Sequence, residues 1–164
     1  MLETLNPVIR RVQRDDYEGL VRFFKETNTD QVKRHFHPFA LSEQTAHHIV
    51  CTDHLDVFYI AVSEKKIVGL FMLRGWDEGF EIPSFGVVVA GKYQGLGLGR
   101  LMTESAIGEA KKLGCRSLRL SVYASNHRAV ALYESLGFFE VSRSECTVGA
   151  ERDQRIVMSR MLSP

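Results

Sequence analysis

The stretch from Val87 to Arg100 constrains this chain more than any other. Val87, Val88 and Val89 favour a buried strand, because β-branched side chains pack well on a pleated surface. Gly91-Lys92-Tyr93-Gln94 follows, and then glycines at 95, 97 and 99. Beyond them Leu98, Leu101, Met102, Ala106, Ala110 and Leu113 recur at helical spacing, with Gly114 at the stop. A strand that feeds a glycine-rich turn and then a helix is a phosphate cradle. The first helical N–H groups lack internal partners, and the helix dipole puts partial positive charge at the same end. Glycine lets a phosphate approach that backbone with no Cβ in the way.

Three loop patterns compete for this stretch. A P-loop ends in Gly-Lys-Ser/Thr, whereas Gly99-Arg100-Leu101 stands here. A dinucleotide fingerprint, G-x-G-x-x-G/A, needs Gly or Ala at its sixth position. Counting from Gly95 gives Arg100, and counting from Gly97 gives Met102, so neither register fits. The third pattern, Gln/Arg-x-x-Gly-x-Gly/Ala, is met position by position by Gln94-Gly95-Leu96-Gly97-Leu98-Gly99. Here the chain resembles the acetyl-CoA loop of the GNAT superfamily of N-acetyltransferases.

Composition bounds the rest. At 164 residues the chain reads as one domain, 1–164, able to bury roughly two-thirds of its unfolded surface. Lys and Arg number 21 against 20 Asp and Glu, so charge makes no case for nucleic acid or a membrane surface as partner. No apolar run is long enough to span a bilayer, and no leader pattern opens the chain. Cys51, Cys115 and Cys146 form no C-x-x-C pair, a sparse set that suits a reducing, cytoplasmic setting.

Along the chain, residues 8–13 read as a strand, and Arg14-Asp15-Asp16 opens a helix carrying Tyr17, Leu20, Val21, Phe23 and Phe24 to about Thr27. Residues 28–40 read as irregular. Ser42 caps a second helix from Glu43 to about Thr52. Residues 56–62 and 67–73 form a hairpin around Glu64-Lys65-Lys66, and 80–89 is a strand with a bulge or edge at Pro83. After the loop and its helix, 116–122 alternates as a strand, 126–136 is a helix stopped by Gly137, and 138–146 with 154–161 is a last hairpin. The order β-α-α-β-β-β-α-β-α-β-β is that of a mixed α/β or α+β layer fold.

GNAT members show the same order, and a second motif is similar. Asn126 follows the fifth strand, Tyr133 lies seven residues on, and Gly137-Phe138 ends the helix. Seven residues is close to two helical turns, so Asn126 and Tyr133 share a face. The resemblance covers about 56–140 well and implies a mostly antiparallel central sheet flanked by helices. It also implies acetyl transfer from acetyl-CoA to an amine. Amides from Gly95 to Arg100 would take the pyrophosphate, with Gln94, Leu96 and Leu98 in the same loop. Val87 and Val89 would pair with the pantetheine as an added strand, and an N–H near Val88 or Val89 would polarise the thioester. Asn126 would bind the cofactor, and Tyr133 would protonate the departing thiolate. Tyr133 also fits a core position on an amphipathic helix.

The base is open. Enzymes acetylating ribosomal-protein N-termini carry a Glu five residues before the Asn. Ser121 stands there, which speaks against that substrate. Glu81, His35 and His37 are the candidates. His35-Phe36-His37-Pro38-Phe39 reads either as acceptor-site lining or as a packed aromatic loop. His47, Cys51 and His54, with His35 or His37, have the makings of a zinc site, but their spacing matches no standard zinc pattern, so no metal is expected. The expected acceptor is the amine of a small molecule (amino sugar, amino acid or similar) or of a peptide. The alternative is a non-catalytic acyl-CoA-binding domain. The resemblance also allows a homodimer through the last hairpin.

Overall fold

A computed structural model describes residues 5–163. Seven strands form one sheet: β1 (Val8–Arg11), β2 (Val57–Ser63), β3 (Lys66–Arg74), β4 (Ser84–Val89), β5 (Ser117–Tyr123), β6 (Phe139–Val148) and β7 (Glu151–Met161). Their spatial order is β1-β2-β3-β4-β5-β7-β6. Every neighbouring pair is antiparallel except β4 and β5, which run parallel. This is the mixed, mostly antiparallel sheet flanked by helices that the resemblance implies.

Period-two alternation divides the apolar side chains between two helical layers. Phe71, Leu73, Phe85, Leu118, Leu120, Ile156 and Met158 face α4 (Leu98–Lys112) and α5 (His127–Ser135). Phe58, Ile60, Leu70, Met72 and Val88 face the other layer, α1 (Tyr17–Thr27), α2 (Asp30–His35) and α3 (Glu43–Cys51). Among the described residues no helix is long and apolar enough to cross a membrane.

Two local expectations change. Residues 28–40 are not wholly irregular, because α2 forms within them. Thr29 caps it by accepting from the Val32 N–H at 3.3 Å. Asp30 in its first turn and Lys33, Arg34 and His35 in its last complement the dipole. Val32 is its one buried residue, so no apolar period announces it. The fourth strand begins at Ser84 rather than at residue 80. Gly79 has φ of +88°, and the Phe80 N–H closes a turn onto the Gly75 carbonyl at 2.9 Å. Pro83 has no N–H to give a ladder. Glu81 is therefore on a loop, off the strand.

That loop is pinned from below. A single buried carboxylate oxygen of Asp56 accepts the N–H groups of Gly75 and Trp76 at 2.9 Å and of Asp77 at 3.3 Å. Asp77 returns the contact by accepting from Leu55 and Asp56 N–H at 2.7 and 3.1 Å. Asp56→Ala would strand three amides and should lower unfolding free energy by about 1–3 kcal/mol in urea denaturation. Asp56→Asn, which keeps an acceptor oxygen, should recover part of that loss.

Candidate active site

β4 and β5 are paired at two positions, Ser84 with Arg119 and Phe85 with Leu120. Past Phe85 they separate, while β4 stays paired with β3 through Val89 and β5 with β7 through Tyr123. The sheet is thus split at its centre, and a cavity of about 860 Å³ occupies the split. Its walls bring together Val87, Val88, Val89, Gln94, Gly95, Gly97, Gly99, Arg100, Asn126, Tyr133, His35 and His37. The lining leaves out three expected residues. Leu98 is in the core at 1% exposure, and Leu96 is turned aside. Glu81 is 78% exposed and held by Arg116 at 2.8 Å, so its carboxylate faces solvent and a cation rather than the cleft.

The backbone of β4 has one free edge. The Ala90 N–H bonds back to the Val68 carbonyl at 3.1 Å, so alternation turns Val88 toward β3 as well. The polar groups of Val87 and Val89 then face the split. Val89 O accepts from the Gln94 amide at 3.3 Å, which ties the loop to the strand.

At the end of the split the loop meets α4. Gly95 and Gly97 have φ of +79° and +89°, and Gly97 is the N-cap of α4. Those angles suit glycine alone at low cost. Among the described residues no backbone or side-chain acceptor takes the N–H groups from Gly95 to Arg100. Arg128 stands over this loop: a Cβ built on Gly95 would lie 3.4 Å from its guanidinium. The motifs do not single out Arg128. Its signal is a cation in the first turn of α5, where the dipole disfavours positive charge.

Asn126 caps α5, its side-chain oxygen accepting from the Ala129 N–H at 3.4 Å. Two turns on, the Tyr133 ring packs edge-on against Phe85 and Phe138, with centroids 6.3 and 5.9 Å away. Burial pushes its phenol up to about 12, so it keeps its proton across the working range of pH.

On the opposite face α2 lowers two histidines onto β5. His37 Nε2 donates to the Lys33 carbonyl at 2.5 Å, which leaves Nδ1 to accept from the Tyr123 hydroxyl. His35 Nε2 is 3.4 Å from Ser125 Oγ, which itself donates to Asp153. Burial, and then the Arg34 charge, hold the His35 pKa below the usual histidine value. Tyr123 is a second residue that motif reasoning misses. It ends β5, one residue past the strand expected at 116–122, and only the approach of the α2 segment gives it a histidine partner.

The other histidines lie apart from this cleft. Both ring nitrogens of His54 face backbone carbonyls, Asp56 O at 2.8 Å and Ile49 O at 3.0 Å. Among the described residues no three His, Cys, Asp or Glu side chains form a group that could hold a metal.

With this geometry in view, comparison with known proteins is informative. The sequence profile of the Acetyltransferase (GNAT) family matches residues 17–138, well over half of the chain. A curated relative, the [Ribosomal protein bS18]-alanine N-acetyltransferase of Escherichia coli strain K12, is 41% identical over 85 residues. That alignment takes in 51% of this chain and 57% of the relative, so the chain spans little more than half the relative's length. A mycothiol acetyltransferase of Jonesia denitrificans is 36% identical over 91 residues, covering 56% of this chain and 29% of that one. The crystal structure of the ribosomal-protein-S18-alanine N-acetyltransferase from Escherichia coli superposes with a TM-score of 0.75 at 25% identity, over 96% of this chain and 95% of that one. The matched profile runs from α1 to just past α5 and so contains both strands of the split, β4 and β5, with the glycine loop between them, and the chain belongs to the GNAT family of acetyltransferases.

Proposed function

We propose that this protein transfers an acetyl group from acetyl-CoA to an amine by direct attack within the split between β4 and β5. One observation carries the reading. A strand edge, a phosphate-type loop and a phenol with a high pKa border a single cavity. The donor fits that lining end to end. The free N–H groups from Gly95 to Arg100, with Arg128 above them, suit a pyrophosphate. The free edge of Val87 and Val89 suits the amides of a pantetheine arm as a further strand would. Asn126 lies beside that path.

In the reaction the amine nitrogen attacks the thioester carbonyl carbon, and its lone pair becomes the new C–N bond. Charge builds on the carbonyl oxygen, where a backbone N–H stabilises it. Alternation favours Val89 over Val88 for this task. The C–S bond then breaks, and the sulfur takes the proton of the Tyr133 hydroxyl. An ordinary thiol pKa is about 8.5, so transfer from a phenol held near 12 runs uphill. It is completed as the strongly basic tyrosinate regains a proton from water in the cleft, equal in number to the one the amine has shed. The proton shed by the nitrogen goes to a base on the α2 face, where His35 and His37 stand. The acceptor belongs to the class of small-molecule or peptide amines. Ser121 in place of a strand carboxylate weakens the reading as an enzyme of ribosomal-protein N-termini. A cytoplasmic setting, and a homodimer through the open β6 edge with its exposed Phe139 and Val141, form part of the same reading.

The direct test is free-thiol release from acetyl-CoA across a panel of amines, and CoA binding with no release from any of them would remove the reading. Tyr133→Phe should lower kcat about 100-fold while the Kd for CoA stays within about twofold by calorimetry. Arg128→Gln should do the reverse, raising that Kd about tenfold and flattening its salt dependence with kcat little changed.

A further inference from the structure

The split opens through both faces of the sheet, and the two faces differ in charge. Tyr133 lies on the α4–α5 side with Phe85. Strand alternation sends Arg74, Ser121, Tyr123 and Arg155 to the other side, toward α2. There the cavity is lined by three arginines, Arg34, Arg74 and Arg155, and by one carboxylate, Glu78. Arg34 is neutralised by Glu151 at 2.6 Å. Among the described residues no carboxylate oxygen lies within 4.0 Å of Arg74 or Arg155.

Both guanidinium groups are nonetheless held in place. Arg74 Nη1 donates to the Pro38 carbonyl at 2.9 Å, and its head lies 5.5 Å over the Phe39 ring. Arg155 Nη2 donates to Ser121 Oγ at 2.8 Å. Each contact uses one N–H of a planar fork and leaves the rest for a ligand, the geometry that suits a carboxylate. They do not serve the donor's phosphates. Arg74 pairs with Ser84, the end of β4 remote from the glycine loop, and Arg100 and Arg128 already stand at the loop. Between them Phe36, Pro38, Met72 and Phe80 supply apolar wall.

If acetyl transfer takes place in this cleft as proposed above, we infer that its acceptor is an amine that also carries a carboxylate, an amino acid or a close analogue, bound through Arg155 with Arg74 beyond it. Arg155 leans on Ser121 beside the split. It therefore holds the carboxylate near the point where the nitrogen must meet the thioester. Arg74 receives a second anionic or polar group at the far end.

The test uses matched pairs that differ only in the carboxylate: phenylalanine and phenylethylamine, arginine and agmatine, methionine and 3-methylthiopropylamine. Thiol release from acetyl-CoA is followed with wild type, Arg155→Gln and Arg155→Lys. The acid of at least one pair should exceed its decarboxylated partner at least tenfold in kcat/KM. Arg155→Gln should lower the acid's kcat/KM about 10- to 100-fold, chiefly through KM, and bring the pair close to parity. Arg155→Lys should fall between. Decarboxylated amines turned over as well as or better than the acids would overturn the inference, and so would a preference untouched by Arg155→Gln. Silence across every amine would instead sink acetyl transfer itself. In that event calorimetry with N-acetylphenylalanine and its amide, in the presence of CoA, decides the anion site separately. Tighter binding of the acid that is lost in Arg155→Gln supports the site, and equal binding removes it.

Discussion

Among the described residues, two ladder pairs, Ser84 with Arg119 and Phe85 with Leu120, and the Arg119 N–H on the Pro83 carbonyl at 3.0 Å join the halves of the sheet. On one side β1 to β4 are laddered antiparallel, and on the other β5, β7 and β6 are. Each half is laddered within itself, so the parting beyond Phe85 adds its two facing edges to the outer edges of β1 and β6. Buried polar backbone without a partner is costly, and these edges avoid that cost by lining a cavity that water or a strand-like ligand can enter. The split is therefore both the weakest seam in the sheet and the place where an extended molecule finds ready-made hydrogen bonds. Phe85, its last paired residue, is also the ring against which Tyr133 packs, so the seam and the Tyr133 phenol share one point of the core.

Charge is arranged along the same seam. At the loop end, unpaired N–H groups and two arginines gather where α4 begins. At the α2 end, guanidinium groups are positioned by neutral oxygens, Pro38 O and Ser121 Oγ, rather than by carboxylates. The overall charge of +1 conceals this, because the balancing acids lie elsewhere. Asp16 is engaged with Arg10 through two hydrogen bonds of 2.7 and 2.8 Å, and Asp56 and Asp77 are occupied with backbone amides. Net charge thus describes the solubility of such a chain and says little about its site.

Long periodic elements were legible in the sequence. The helix after the glycine loop, expected from Leu98 to Leu113, spans Leu98–Lys112, and the one capped by Ser42 spans Glu43–Cys51. Elements whose stability is tertiary were not. α2 buries one residue and is held by a cap and by packing, so its six residues carry no period. The start of β4 depends on a turn closed by Gly75 and braced by Asp56, nineteen positions away. Glu81 looked like a strand carboxylate for that reason and is an exposed partner of Arg116. Tyr123, Arg74 and Arg155 gave no signal either, because they come from three strands that only the order of the sheet brings to one cleft.

By itself the sequence determined the glycine-loop end of the split. A phosphate cradle is a local device: its glycines, its free N–H groups and its helix are contiguous, and backbone angles and dipole follow from residue type. Asn126 and Tyr133 are likewise set by helical spacing. The α2 end of the split was decided by tertiary structure alone. It exists because two strands separate after two pairs, and because a short helix without its own apolar signature brings His35 to Ser125 and, two residues past its end, His37 to Tyr123. The His37–Tyr123 and His35–Ser125 contacts join residues 86 and 90 positions apart, and no local rule reaches that far.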